Sequence, residues 1–174
     1  MEMNYCRRCG AQLYNESSVY RCKNGHIHFF NPKPTVGVLF LRPDKRTVLL
    51  SRRGIEPRKG ELDMIGGFVD ENESLEEAAL REIAEETGLT SVDFSPLYYL
   101  VSAPNDYAYG GETFQVLSVI YYAFLHEQAA PIAADDVAEL IEIDILDVDT
   151  SKITAKDDVI AINLLHEKVR NNDL

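Results

Sequence analysis

Glu82, Glu85 and Glu86 stand at i, i+3 and i+4, a spacing that places all three on one face of a helix. Carboxylates so arranged repel one another, raise one another's pKa and weaken the helix unless cations compensate. As hard oxygen donors they suit Mg²⁺ or Mn²⁺, which bind phosphates through few carboxylates and several waters. Arg81 lies four residues before Glu85 and four after Glu77, positioned to brace the cluster. Gly66 and Gly67 precede the helix and let the backbone approach closely. Taken alone, such a helix reads first as a charged, solvated surface laced by i,i+4 pairs.

A second group of residues points to another metal. Cys6-x-x-Cys9-Gly10 is a knuckle: two thiolates on a tight turn, with glycine tolerating the left-handed backbone. Cys22 follows, with His26 as the natural fourth ligand and His28 as the alternative. Three cysteines are an odd number for a disulfide framework. Residues 1–34 are too few for a core of their own, so a Zn²⁺ staple is expected there. Such a Zn²⁺ is structural, because four protein ligands leave no open position.

The elements that must position these residues are legible in the pattern. Ser74 with Glu77 fits a capping box and Gly88 fits the position after a helix end, which predicts a helix between Ser74 and Thr87. Leu75, Ala78, Ala79 and Ile83 form its buried stripe. Upstream, Asn31-Pro32-Lys33-Pro34 reads as an extended linker. Residues 36–41 are a near-continuous apolar run, as in a strand covered on both faces. A turn at 43–46 returns the chain into a strand at 47–50, making a hairpin. Residues 97–102, 114–125 and 140–146 are further strand-like runs. A last amphipathic helix is expected over 155–169, with Val159, Ile162, Leu165 and Val169 at helical spacing. Strands and helices interleaved in this way predict an α/β fold, a mixed sheet sandwiched by helices. The expected domains are 1–34 and 35–174.

Composition bounds the function. The 174 residues are 45% hydrophobic, enough for a core, with no apolar leader and no run of 18 apolar residues. We therefore expect a soluble, cytoplasmic protein without a membrane partner. The net charge of −12 argues against bulk attraction to nucleic acid or anionic lipid, so no nucleic-acid partner is expected. The charge is unevenly spread. Residues 1–60 hold 12 Lys/Arg and 4 Asp/Glu, whereas residues 61–174 hold 5 and 25. A basic half feeding an acidic half suits a site where cations and a polyanionic substrate meet. Arg52 and Arg53, ending the second strand, are candidates to contact substrate phosphates.

The segment from Gly67 to Leu89 resembles the Nudix box in every fixed position. It reads Gly, five residues, Glu73, seven residues, Arg81-Glu82, aliphatic, any, Glu85-Glu86, any, Gly88, aliphatic. The resemblance covers roughly residues 34–170. It implies a Nudix α/β/α sandwich and hydrolysis of a nucleoside diphosphate linked to another moiety. It further implies that Glu82, Glu85 and Glu86 ligate a divalent metal, joined by the Gly66 carbonyl, that Arg81 orients them and that Glu73 supports the loop–helix junction. One box glutamate serves instead as general base in some members. Others use a downstream acid, for which Glu112, Glu127 and Glu139 are the candidates.

A zinc ribbon before such a domain is similar to the NADH pyrophosphatase group. That group carries Ser-Gln-Pro-Trp-Pro-Phe-Pro after the box; this chain has Ser102-Ala103-Pro104-Asn105-Asp106-Tyr107 and no tryptophan. Pro104 fits the family's ADP-ribose pattern, and Tyr107 fits its dinucleoside-polyphosphate pattern and is the candidate for base stacking. The expected substrates are ADP-ribose-like or NAD-like, then dinucleoside polyphosphates, then nucleoside triphosphates. A non-catalytic nucleotide sensor is the competing class. A homodimer is expected on the resemblance alone.

Overall fold

The computed structural model describes residues 4–16 and 19–174. Near the N-terminus, β1 (Leu13–Glu16), β2 (Val19–Cys22) and β3 (Ile27–Phe29) form a three-stranded antiparallel sheet in the order β1-β2-β3. Leu13 and Cys22 are cross-strand neighbours and pack with Cys6 in a small buried cluster.

The rest is one mixed sheet between two helices, the α/β sandwich that the alternation of elements predicts. Its strands are β4 (Lys33–Leu41), β5 (Thr47–Arg53), β6 (Leu62–Asp63), β7 (Tyr98–Tyr109), β8 (Glu112–Phe124) and β9 (Val137–Asp144). The order is β6-β5-β4-β8-β7, with β9 also paired to β5. β4 and β8 run parallel, from Lys33↔Val116 to Leu41↔Phe124. Their side chains alternate between two cores. Val36, Val38 and Phe40 pack with Ala79 and Ile83 of α1 (Leu75–Thr87), and Leu39 and Leu41 pack with Ile162 and Leu165 of α2 (Lys156–Asn171).

The helix between Ser74 and Thr87 forms as the capping pattern predicts. Ser74 accepts from the Glu77 N–H, Glu77 reaches back to the Ser74 N–H, and Gly88 closes the end in the left-handed conformation at φ 68°. α2 runs slightly past the predicted 155–169.

Three boundaries differ from the sequence reading, each for a tertiary reason. Lys33 and Pro34 belong to β4 rather than to a linker, because they pair with Val116 and Leu117. β7 continues past the predicted 102 to Tyr109, through Pro104. A strand paired only with β8 has one free edge, where proline costs no ladder hydrogen bond. Gly110 and Gly111, at φ 61° and 82°, turn the chain into β8. The β4–β5 hairpin is the third. Its strands pair only at Phe40↔Leu49 and Leu41↔Val48 and then splay. The chain from β6 to Phe68 fills the gap through bridges at Val38↔Ile65 and Thr35↔Phe68. That splay opens the end of the sheet on which the site is built.

Candidate functional site

The segment between β6 and α1 is pressed onto β4. Gly66 has φ 151°, and a Cβ there would lie 2.1 Å from the Val36 carbonyl. A Cβ on Gly67 would lie 2.5 Å from Glu82 Oε1. Gly66 is required there, since its neighbours are backbone atoms that cannot yield, whereas at Gly67 a methyl group would displace the Glu82 carboxylate. The approach lets the Gly66 N–H donate to Glu86 Oε2 at 2.9 Å and fixes the innermost glutamate against the loop.

The three box glutamates sit at graded depths on α1. Glu85 is half exposed, Glu82 is mostly buried, and Glu86 is 5% exposed. Arg81 ties them together. Its Nη1 donates to Glu82 at 2.7 Å and Glu85 at 3.0 Å, its Nε to Glu73 at 2.9 Å and its Nη2 to the Phe68 carbonyl at 2.9 Å. A planar fork can span four partners in this way; a lysine ammonium on a flexible stem cannot. Hydrogen bonds from Arg81 hold the Glu73 carboxyl below its ordinary range, so Glu73 is a charged strut of the loop–helix junction.

Burial acts in the opposite direction on the inner pair. Loss of water is the largest cause of the rise at Glu82. Burial also pushes Glu86 up to about 9, helped by a hydrogen bond and charge repulsion from Asp136.

These groups line one cavity of about 380 Å³. Gly66, Gly67, Arg53, Arg81 and Tyr107 line it with the three glutamates. The Tyr107 ring stands edge-on to Phe68 at 5.3 Å, and Phe68 lines the same cavity. Arg52 is not brought in. Consecutive strand residues point to opposite faces, and Arg52 pairs with Glu139 and the Gly60 carbonyl outside the cavity lining. Arg53 faces inward, donating to Asp63 at 2.9 Å and lying 3.7 Å from Asp136.

The three candidates for a downstream acid lie away from the cavity. Glu112 sits at the β7–β8 turn, Glu127 follows β8 and Glu139 pairs with Arg52; none lines the cavity. Asp135 and Asp136, just before β9, do. Their signal in the sequence was faint, two consecutive acids ahead of a strand. The sequence reading also missed Asp63, Asp157 and Asp158, which complete the cavity from β6 and α2.

The cysteine cluster forms separately. One ligand atom from each of Cys6, Cys9, Cys22 and His26 lies within 4.8 Å of the others. His28 is outside that set; its Nε2 lies 3.1 Å from Cys6 Sγ, as a partner of the thiol. Asn24 donates to Cys9 Sγ at 3.3 Å. A backbone hydrogen bond from Ala11 is the main cause that lowers Cys9 to about 6. A thiol that ionises so readily is a ready metal ligand.

The sequence model of the NUDIX domain matches residues 31–163. Among curated proteins, the chain is 25% identical over 167 residues to a protein named NAD-capped RNA hydrolase NudC from Photorhabdus laumondii, covering 95% of this chain and 60% of that one. The chain spans only 25–60% of the length of such NAD-capped RNA hydrolases. Among solved structures, a NUDIX hydrolase from Nitrosomonas europaea superimposes with a TM-score of 0.69 at 21% identity, over 98% of this chain and 93% of that one. The NUDIX domain of Shewanella oneidensis NrtR, complexed with ADP ribose, gives 0.63 at 27% identity over 81% and 90%. No helix among the described residues is long and apolar enough to cross a membrane.

Proposed function

Because the chain belongs to the NUDIX family, we propose that it is a nucleotide pyrophosphohydrolase and that its substrate is an ADP-ribose-like or NAD-like nucleoside diphosphate derivative. The observation that carries this reading is the composition of the cavity beside α1. Glu82, Glu85, Glu86 and Asp136 stand on one side, Arg53 lies beside them, and the rings of Phe68 and Tyr107 also line it. A volume of about 380 Å³ is at the lower end of what small-ligand pockets offer, and the opening is continuous with the surface. The similarity to a hydrolase of NAD-capped RNA and to a domain complexed with ADP ribose supports a substrate in which a nucleoside diphosphate is joined to a second group.

The donor set fits a hard divalent cation. Buried Glu86 is costly to ionise without one, Glu82 is also raised by burial, and the accompanying donors are all oxygen. Glu82, Glu85, Glu86 and Asp136 would hold Mg²⁺ or Mn²⁺. Bound there, the metal supplies charge neutralisation for a diphosphate and lowers the pKa of a coordinated water. The chain's own residues do the remaining work. Arg81 keeps Glu82 and Glu85 aligned, Gly66 N–H orients Glu86, and Arg53 offers a cation to a phosphate oxygen. Tyr107 and Phe68 give the base or ribose an apolar wall.

The ligand set Cys6, Cys9, Cys22 and His26 is that of a closed structural Zn²⁺ site, and we assign the segment before β4 as the one it staples.

Product identification by chromatography tests the reading. The purified protein is incubated with Mg²⁺ or Mn²⁺ and with ADP-ribose, NAD, NADH, FAD, diadenosine polyphosphates, nucleoside triphosphates and a short NAD-capped RNA. AMP release from ADP-ribose or NAD(H), abolished in Glu85→Gln, is the expected result. Turnover confined to nucleoside triphosphates or diadenosine polyphosphates refutes the substrate class. Binding without turnover of any compound would identify a sensor instead.

A further inference from the structure

The cavity has a second acidic wall, which the metal site does not explain. Glu82, Glu85 and Glu86 come from α1 on one face of the sheet. Asp157 and Asp158 come from the first turn of α2, on the other face. The two sets meet only because β4 and β5 splay and open the end of the sheet. Asp157 and Asp158 are 7% and 3% exposed, and both line the cavity.

The two are satisfied differently. Asp158 has its cation, since Arg58 Nη1 lies 3.5 Å away, and Arg58 also donates to Asp63 at 3.2 Å. Burial raises Asp158 well above the ordinary carboxyl range, with Asp63 beside it as the next cause. Asp157 has no such arrangement. One oxygen accepts a short hydrogen bond from Ser118 Oγ, itself 2.7 Å from Thr35 Oγ1. The other, Oδ1, is buried without a partner, and no salt bridge reaches Asp157 among the described residues. A buried acceptor left unpaired forfeits its hydration without a compensating hydrogen bond. Such a group in a native fold calls for a ligand that completes it.

The chemistry of that ligand is narrow. An anion is excluded by the Asp157 charge. The Asp157 oxygen needs an N–H or O–H donor that enters from the cavity. Thr35, Ser118 and Asn105 line the cavity beside it, and the rings of Phe68 and Tyr107 line it too, so a flat polar heterocycle suits the space. We propose that the Asp157 carboxylate, seated on Ser118, accepts a hydrogen bond from the exocyclic amino group of the substrate's base, and thereby selects adenine over a purine carrying a carbonyl at that position. This deepens the substrate class proposed above and rests on it. Ser118 is the positioning residue, because its hydroxyl fixes which Asp157 oxygen faces the cavity.

The experiment separates base recognition from turnover. AMP and IMP, which differ at the amino-bearing position and the adjoining ring nitrogen, are titrated calorimetrically into the full chain with Mg²⁺. Hydrolysis of ADP-ribose is followed in parallel. Wild type should bind AMP at least tenfold more tightly than IMP. In Asp157→Asn the amide keeps an oxygen for Ser118 and turns its N–H₂ to the cavity. It then repels the amino group and donates to the carbonyl, so the preference should fall at least tenfold or reverse. Ser118→Ala, which frees Asp157 to rotate, should weaken the preference while leaving it in the same direction. Thermal melting and circular dichroism establish that both variants are folded. An AMP:IMP ratio within twofold in wild type, or a ratio that folded Asp157→Asn leaves unchanged, overturns the inference. Absence of ADP-ribose hydrolysis alongside a clear AMP preference would sink the proposed reaction and leave the base site standing.

Discussion

Replacing Glu86 with glutamine should inactivate the protein and at the same time stabilise it, and the size of the second effect follows from the site. Glu86 ordinarily titrates at 4.5; buried against Asp136 it titrates at about 9. Folding at about pH 7.5 without metal therefore requires Glu86 to take up a proton that the unfolded chain would not hold. Three pKa units at 1.36 kcal/mol each give about 4 kcal/mol as the upper bound of that cost. The sign follows from the raised pKa. The neutral acid's contribution to stability is fully present below 4.5 and is lost progressively as pH rises toward about 9.

Glutamine is neutral at every pH and keeps an oxygen for the Gly66 N–H. In the presence of EDTA, Glu86→Gln should therefore melt on the order of 10 °C above wild type near pH 8, since a chain of this size gains about 2–4 °C per kcal/mol. The gap should close as pH falls toward 5. Mg²⁺ should raise the melting temperature of wild type and leave the variant almost unchanged, and turnover should fall by roughly 100-fold or more. Differential scanning calorimetry across pH, with and without metal, reads all of this. A variant that melts at or below wild type near pH 8 in EDTA, with no trend toward acid, would show that Glu86 is not held neutral in the fold.

Other perturbations probe the supports. Arg81→Lys keeps a charge but loses the fork to Glu73, Glu82 and Glu85; kcat should fall at least roughly tenfold, with KM little changed, and an unchanged kcat would remove Arg81 from the alignment role. Gly66→Ala places a Cβ 2.1 Å from the Val36 carbonyl and should destabilise by about 3 kcal/mol or more, read as a denaturant midpoint shift; a shift under about 1 kcal/mol would contradict the close approach. His26→Ala should abolish stoichiometric Zn²⁺ by metal analysis, whereas His28→Ala should retain it at reduced affinity; the reverse pattern would exchange the two roles.

What the sequence by itself determined are the features that act over a few residues. The capping box at Ser74 and Glu77, the Gly88 terminus and the i, i+3, i+4 carboxylates are local, because helix geometry alone puts them together. The cysteine spacing likewise fixes a knuckle before any tertiary contact forms. The alternation of apolar runs was enough to predict a mixed sheet between helices.

Only the tertiary structure decided which distant residues join the cavity. Arg52 and Arg53 are neighbours of the same type, and strand pairing sends one outward to Glu139 and the other inward to Asp63. Asp136 and Asp157 lie 69 and 90 residues beyond Gly67, on elements whose register against β5 and β7 no local pattern encodes. The candidates for a downstream acid, Glu112, Glu127 and Glu139, therefore lie outside the cavity, whereas Asp135 and Asp136 line it. The raised pKa of Glu86 is of the same kind: a carboxyl's affinity for its proton depends on how much water the folded chain removes around it, and that quantity exists only once the sheet, the loop and the helix have closed over it.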